Sequence, residues 1–242
     1  MARTKNRARR TSHLYLPSAF DLFTHSKEIV LKNIWIFGPL YAVLFVFFIH
    51  SWLWSPPVGQ HLRLWQRSDG FSSAWLGGPL PAYFTFLFVG FSLLWLLLTI
   101  VIGTAAQIMS QAAQLDASQE KHLDFQNLWQ VVRKMGLRLL GLYIVMGVIF
   151  AFSFLLLFIP LRRYLLAPYV MIEKNAGIRE SLARSAALSL KNTGAVWGII
   201  GVMFLIGLVN IIPYFGGLAA FTLGSLYSVA PALRYQQLKR LA

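Results

Sequence analysis

The sequence predicts an all-α integral membrane protein with six transmembrane helices in three hairpins, each hairpin preceded by a cytoplasmic amphipathic helix. Three observations predict it. The chain is 57% hydrophobic and only 12% charged, against roughly 25% charged in an ordinary soluble domain. Apolar stretches recur at approximately 34–54, 83–107, 139–158, 160–173, 195–214 and 215–235. Of the 22 Lys and Arg, all but Arg63, Arg67, Arg162 and Arg163 fall on one side if the chain threads six times. That bias marks cytoplasmic loops.

The first residues, 1–13, read as a disordered basic tail, and 14–242 as a single transmembrane helical domain. The tail is not a secretory signal: no compact apolar run follows it directly, and no small-residue cleavage site follows the first span. Arg3, Lys5, Arg7, Arg9 and Arg10 would hold it near anionic lipid. Ser18–Asn33 is the first amphipathic helix, opened by Ser18 with Asp21 three residues on, as in a capping box.

The longest apolar run, Tyr83–Met109, carries no charge. About 20 apolar residues cross a hydrocarbon core, and lipid forces the backbone to satisfy itself as a helix. The outer loop 55–82 is broken by Pro56, Pro57, Gly70, Gly77, Gly78, Pro79 and Pro81. Trp54, Trp65 and Trp75 suit a membrane interface. The loop reads as a connector or as the seat of variable function.

Leu123–Leu137 is the second amphipathic helix, with Phe125, Leu128, Trp129, Val132 and Met135 at helical spacing. The stretch 160–173 is short and holds Arg162, Arg163 and Pro168, so charge decides its fate. If it did not cross, the later basic loops would change sides and the bias would break. Crossing places Arg162 and Arg163 at its outer end, far from Glu173. Two roles fit them: snorkelling to outer headgroups, or clamping a phosphate or carboxylate with the planar guanidinium fork.

Ile178–Lys191 is the third amphipathic helix, with Ile178, Leu182, Ala186 and Leu190 on one side. Arg133, Lys134, Arg179 and Arg184 then form an interfacial basic collar. The tripeptide Leu31-Lys32-Asn33 returns as Leu190-Lys191-Asn192, each time just before a span. The three units read as a repeated layout, or as convergent juxtamembrane helices. The sixth span carries a small-residue stripe, Gly216, Ala220, Gly224 and Ser228. Such a stripe lets backbones approach closely, either on the fifth span through Gly194, Gly198 and Gly201 or between two copies.

The net charge of +14 could suggest nucleic acid, but inner-loop cations already account for it, and no nucleic-acid partner is expected. There is no Cys. Of His13, His25, His50, His61 and His122, only His50 and His61 fall together, without a carboxylate cluster. No P-loop, HExxH, GxSxG or paired carboxylate is present, and no acid lies inside a span. Ser92, Thr99, Ser153, Asn210, Thr222 and Ser225 at membrane depth read as helix hydrogen bonds. No catalytic residue, cofactor or metal is expected.

The segment Arg163–Leu188 resembles the membrane domain attached to some bacterial glycerophosphoryl diester phosphodiesterases, and related uncharacterised multi-span proteins. The matching residues are Ala167, Pro168, Glu173, Gly177, Ser181, Leu182, Arg184 and Ser185, then Pro213 and Gly216, then Tyr235 and Lys239. The family's catalytic barrel has no counterpart here. The resemblance implies a helical membrane bundle and no phosphodiesterase activity.

The functional expectation is a non-enzymatic scaffold, or a partner- or lipid-binding subunit, in the cell (cytoplasmic) membrane with both termini cytoplasmic. Its partners would be anionic headgroups at the inner face, and a protein not identifiable from sequence. The alternative is a transporter or lipid-handling protein with its anionic site at Arg162 and Arg163.

Overall fold

The structure is a computed structural model that describes residues 16–53, 82–152, 158–212 and 215–241. The expected basic tail, the outer loop up to residue 81, the Pro213–Tyr214 turn and the side chains of His13, His50 and His61 lie outside the described residues. Every regular element among the described residues is helical. In chain order these are α1 (Ala19–Lys32), α2 (Ile34–Leu53), α3 (Ala82–Ser118), α4 (Phe125–Phe152), α5 (Phe158–Tyr164), α6 (Ala167–Lys174) and α7 (Ile178–Lys191). After them come α8 (Thr193–Leu208), a 3₁₀ turn (Val209–Ile211), α9 (Gly216–Tyr227) and α10 (Ala230–Leu241).

Among the described residues three stretches are long and apolar enough to cross a membrane: Phe125–Phe152, Thr193–Ile211 and Gly216–Leu241. A fourth qualifies if Ala19–Lys32 and Ile34–Ile49, bent by 99°, count as one. Large apolar side chains stand open on these helices, among them Leu137 and Phe152 on α4, Phe204 on α8 and Phe215 before α9. Water-soluble monomers rarely expose so much apolar surface; lipid accepts it.

The chain forms two compact units. One spans Pro39–Gln107. Within it Phe47 meets Trp95 at 6.5 Å, and the Thr99 hydroxyl donates to the Trp95 carbonyl at 2.9 Å. The other runs to Gly38 and resumes at Ile108. Its core gathers Leu115, Leu166, Tyr169, Val170, Val196, Ile200, Tyr235 and Leu238. A second cluster joins Ile108 to Met135, Leu139 and Leu142 of α4 and to Ala167 and Met171 of α6.

α1 starts where the sequence places it. The Asp21 amide donates to the Ser18 hydroxyl at 3.1 Å, and the Ser18 amide donates to the Asp21 carboxylate at 3.0 Å. The second amphipathic segment is not a separate helix. It is the first half of α4, continuous with the apolar part as far as Phe152, because nothing between Leu137 and Leu139 breaks a helix.

The segment expected to form one short span, 160–173, is not one continuous helix. It is two short helices, α5 of 7 residues and α6 of 8, divided at Leu165–Leu166. Pro168 sits in the first turn of α6. It has no N–H to offer the Tyr164 carbonyl, so one continuous helix is denied. At ~1.5 Å per residue each piece is about 10–12 Å long, against a hydrocarbon core of ~30 Å.

The sixth span also breaks, at Ser228–Val229 ahead of Pro231. There the buried Ser26 of α1 repairs the backbone. Its hydroxyl donates to the Leu226 carbonyl at 2.6 Å and accepts from the Val229 amide at 3.2 Å.

The small-residue stripe is used unevenly. A Cβ on Gly216 would collide with the backbone of Val209 and Asn210, whereas one on Gly224 would meet nothing within 4 Å. A Cβ on Gly198 would stand 3.3 Å from the Cβ of Ala19 on α1. The fifth span therefore spends that glycine on the amphipathic helix. Gly216→Ala should lower stability by about 1–3 kcal/mol, and Gly224→Ala should stay within about 0.5 kcal/mol of wild type. Thermal unfolding of the two variants in mild detergent measures both.

Candidate functional site

Glu173, near the end of α6, is the centre of the best-built polar site among the described residues. Its Oε1 accepts from Lys239 Nζ at 2.8 Å, Gln119 Nε2 at 3.0 Å and Gln236 Nε2 at 3.3 Å. Its Oε2 accepts from the Tyr235 hydroxyl at 2.7 Å. One carboxylate thus ties the turn after α3, the end of α6 and the middle of α10. Partial burial alone would raise the Glu173 pKa. The Lys239, Tyr235 and Gln236 donors outweigh it, so the carboxyl is held below its ordinary value.

A buried polar chain runs on from this tie. Tyr235 stacks on Tyr169 at 6.3 Å. The Tyr169 hydroxyl donates to Gln114 Oε1 at 2.7 Å, and Gln114 Nε2 donates to Ser110 at 3.0 Å. The Tyr143 hydroxyl donates to Gln111. Arg234 is 2% exposed. Its guanidinium donates to the Pro17 carbonyl at 2.9 Å and to Gln237 at 3.0 Å.

Beside Glu173 a groove of about 490 Å³ opens between α6, α7 and α10, and Lys174, Arg184 and Lys239 line it with Val170, Leu188 and Tyr235. Arg184 pairs with Glu180 at 2.6 Å, both side chains about half exposed. A second cavity, of about 590 Å³, lies against α1 and the turn after α3, where His25, Glu28 and Lys32 face Glu120, Lys121 and His122. No group of three or more metal-ligating side chains forms among the described residues.

The collar residues Arg133, Lys134, Arg179 and Arg184 are all exposed. α4 and α7 are neighbours: Arg138 donates to Asn175 at 3.3 Å, and Ile178 lies 3.1 Å from a Cβ built on Gly141. Arg162 and Arg163 are not isolated at a far end. The Arg163 carbonyl accepts from the Ser185 hydroxyl at 2.7 Å, so α5 lies against the helix that carries Arg179 and Arg184. Arg162 is half-buried, and its Nε has no partner among the described residues.

The buried face of α7 is Ser181, Ser185 and Ser189, each at 0% exposure, while Leu190 is 50% exposed. The apolar side named from sequence is only half-buried at Ile178 and Leu182. Sequence reasoning also passes over Gln111 and Gln114, the groove position of Lys174, and the placing of His25 and His122 on one cavity. The four-residue spacing of the serines is the available signal. Thr99 and Thr222 bond to carbonyls four residues back, as expected. Asn210 is exposed.

No protein-family model, no curated protein and no solved structure matches this chain.

Glu173→Gln should cost about 1–3 kcal/mol, since one buried acceptor oxygen becomes a donor facing donors. The wild-type tie is fully present above the ordinary glutamate value of 4.5. It weakens as pH falls through the lower folded value. Unfolding temperature followed from pH 7 to about pH 3 should drop more for wild type than for Glu173→Gln.

Proposed function

We propose that this chain is a non-enzymatic, multi-pass protein of the cytoplasmic membrane. It acts as a scaffold whose basic inner face holds anionic lipid headgroups, with both termini cytoplasmic. The observation that carries the reading is the exposure of Arg133, Lys134, Arg179 and Arg184 on the adjoining helices α4 and α7, beside long helices with open apolar faces. Cations next to apolar surface fit the inner leaflet, where each Lys or Arg near the surface is worth about 1 kcal/mol.

The three-hairpin layout is part of the same reading, and hydrogen bonds between distant chain positions support it. Pro17 is bonded to Arg234. Gln119, Glu173 and Lys239 share one carboxylate. α1 and the turn after α3 line one cavity. Read as interfacial, these contacts put their groups on one side of a bilayer, and the chain between them crosses an even number of times. It then leaves and returns between Asn33 and Gln119, between Gln119 and Glu173, and between Glu173 and Arg234. In this reading the middle return includes the broken pair α5–α6, together about 22 Å long, in place of a single helix, with the Arg163–Ser185 contact at membrane depth.

Kinship with the phosphodiesterase-linked membrane domain belongs to this proposal as well. It rests on the residues of the matching segment Arg163–Leu188. Neither of the two cavities described reaches Arg162 or Arg163.

Two measurements test the proposal. Lys27→Cys and Arg240→Cys should react with a membrane-impermeant maleimide only after cells are permeabilised; labelling of either in intact cells overturns the sidedness. Neutralising Arg133, Lys134, Arg179 and Arg184 to Gln together should cut the ratio of anionic to zwitterionic lipid co-purifying in mild detergent by at least about twofold. An unchanged ratio counts against the collar.

A further inference from the structure

We propose that the groove between α6, α7 and α10 is a site for one anionic phospholipid. Lys174, Arg184 and Lys239 hold its phosphodiester, and Val170, Ala187 and Leu188 receive the first acyl methylenes. This rests on the membrane reading above and narrows it from a diffuse basic face to a single place.

The charge count selects the ligand. Three cations line the groove. Glu173 and Glu180 stand behind two of them, paired with Lys239 and Arg184. One positive charge is left over, and a single phosphodiester cancels it. Lys174 is exposed and enters no ion pair among the described residues. The Arg184–Glu180 pair is half exposed, and such pairs exchange partners at little cost. Arginine offers phosphate two parallel N–H donors, and each lysine adds a compact charge.

The walls select the source of the phosphate. Val170, Ala187 and Leu188 give the groove an apolar side that a free phosphate ester would leave uncovered. The volume of about 490 Å³ lies within the ~300–1,000 Å³ typical of small-ligand sites.

The test uses the full chain, delipidated in neutral detergent and titrated with dioctanoyl phosphatidylglycerol by calorimetry. Dioctanoyl phosphatidylcholine and acyl-free glycerophosphoglycerol are the comparison ligands. The expected result is one saturable site for phosphatidylglycerol, with both comparison ligands at least about tenfold weaker. Lys174→Gln with Arg184→Gln should weaken it by at least about tenfold, while Lys27→Gln, an exposed cation outside both the groove and the collar, leaves it unchanged. Lys239 is kept, because it also holds Glu173. Both altered side chains are exposed; should the pair unfold early, Lys174→Gln alone carries the test, with a loss of about fivefold.

Wild-type affinity in the altered protein overturns the groove and leaves the collar standing. Equal loss in the Lys27→Gln variant also overturns it, in favour of a diffuse basic surface. Equal binding of glycerophosphoglycerol overturns the lipid assignment. External maleimide labelling of Lys27→Cys would instead remove the membrane reading beneath both.

Discussion

The carboxylate of Glu173 is the tie on which the arrangement of this end of the molecule depends. Four donors reach it from two chain segments, the turn after α3 and α10, each more than 50 residues away in sequence. A carboxylate with so many donors is strongly directional, because each bond to a charged group is worth about 1.5–3 kcal/mol and leaving a partner unmatched costs as much. Apolar packing alone would let α6 and α10 slide, since lipid rewards no particular register. The tie sets that register, and the groove beside it inherits its shape from the same residues.

A second constraint acts wherever a helix is interrupted. In apolar surroundings a freed backbone group must find a partner. Pro168 and Pro231 interrupt two helical stretches, and serines from other helices answer near both. Ser185 donates to the carbonyl of Arg163, just before the α5–α6 break. Ser26 serves both a carbonyl and an amide at the α9–α10 break. This is why Ser26 and Ser185 are buried: each is small enough for close approach and polar enough to bond an interrupted backbone. Ser181 instead bonds back to the Gly177 carbonyl at the start of its own helix, and the Ser189 hydroxyl has no hydrogen-bond partner among the described residues. The polar side of α1 and α7 is thus partly structural.

The helical class and several boundaries are legible in the sequence because they depend on local chemistry. The Ser18–Asp21 capping box and the bounds of α7 need only neighbouring residues. The break at Leu165–Leu166 is half visible: Pro168 signals it, but the placement of charge argues for one continuous crossing. Glu173 stands out in the sequence only as a motif residue, set against the arginines of its own segment. Its true partners, Gln119 and Lys239, lie more than 50 residues away on either side, and no periodicity in one chain reveals such a meeting. The same holds for His25 with His122 and for Lys174 with Lys239. The stripe at Gly216 is legible as small residues, but which of them is crowded depends on where the 3₁₀ turn folds back.

In the proposed layout, charge and connectivity support each other through these distant contacts. The placement of cations argues for sidedness from the free energy of leaving water, whereas the bonds from Pro17 to Arg234 and from Glu173 to Gln119 and Lys239 argue from connectivity alone. The two lines are independent. A stretch of chain whose ends touch must return to the side it left, whatever its composition. The broken pair α5–α6 is the weak member by hydropathy, yet the proposed layout needs a return between Gln119 and Glu173 if α4 crosses the membrane. The Arg163 carbonyl, bonded to Ser185, gives the reason such a poor span would be tolerated: it is covered by α7 along one side, so lipid need not solvate its interrupted backbone. A helix that could not stand alone in hydrocarbon would thereby be kept at membrane depth by its neighbour.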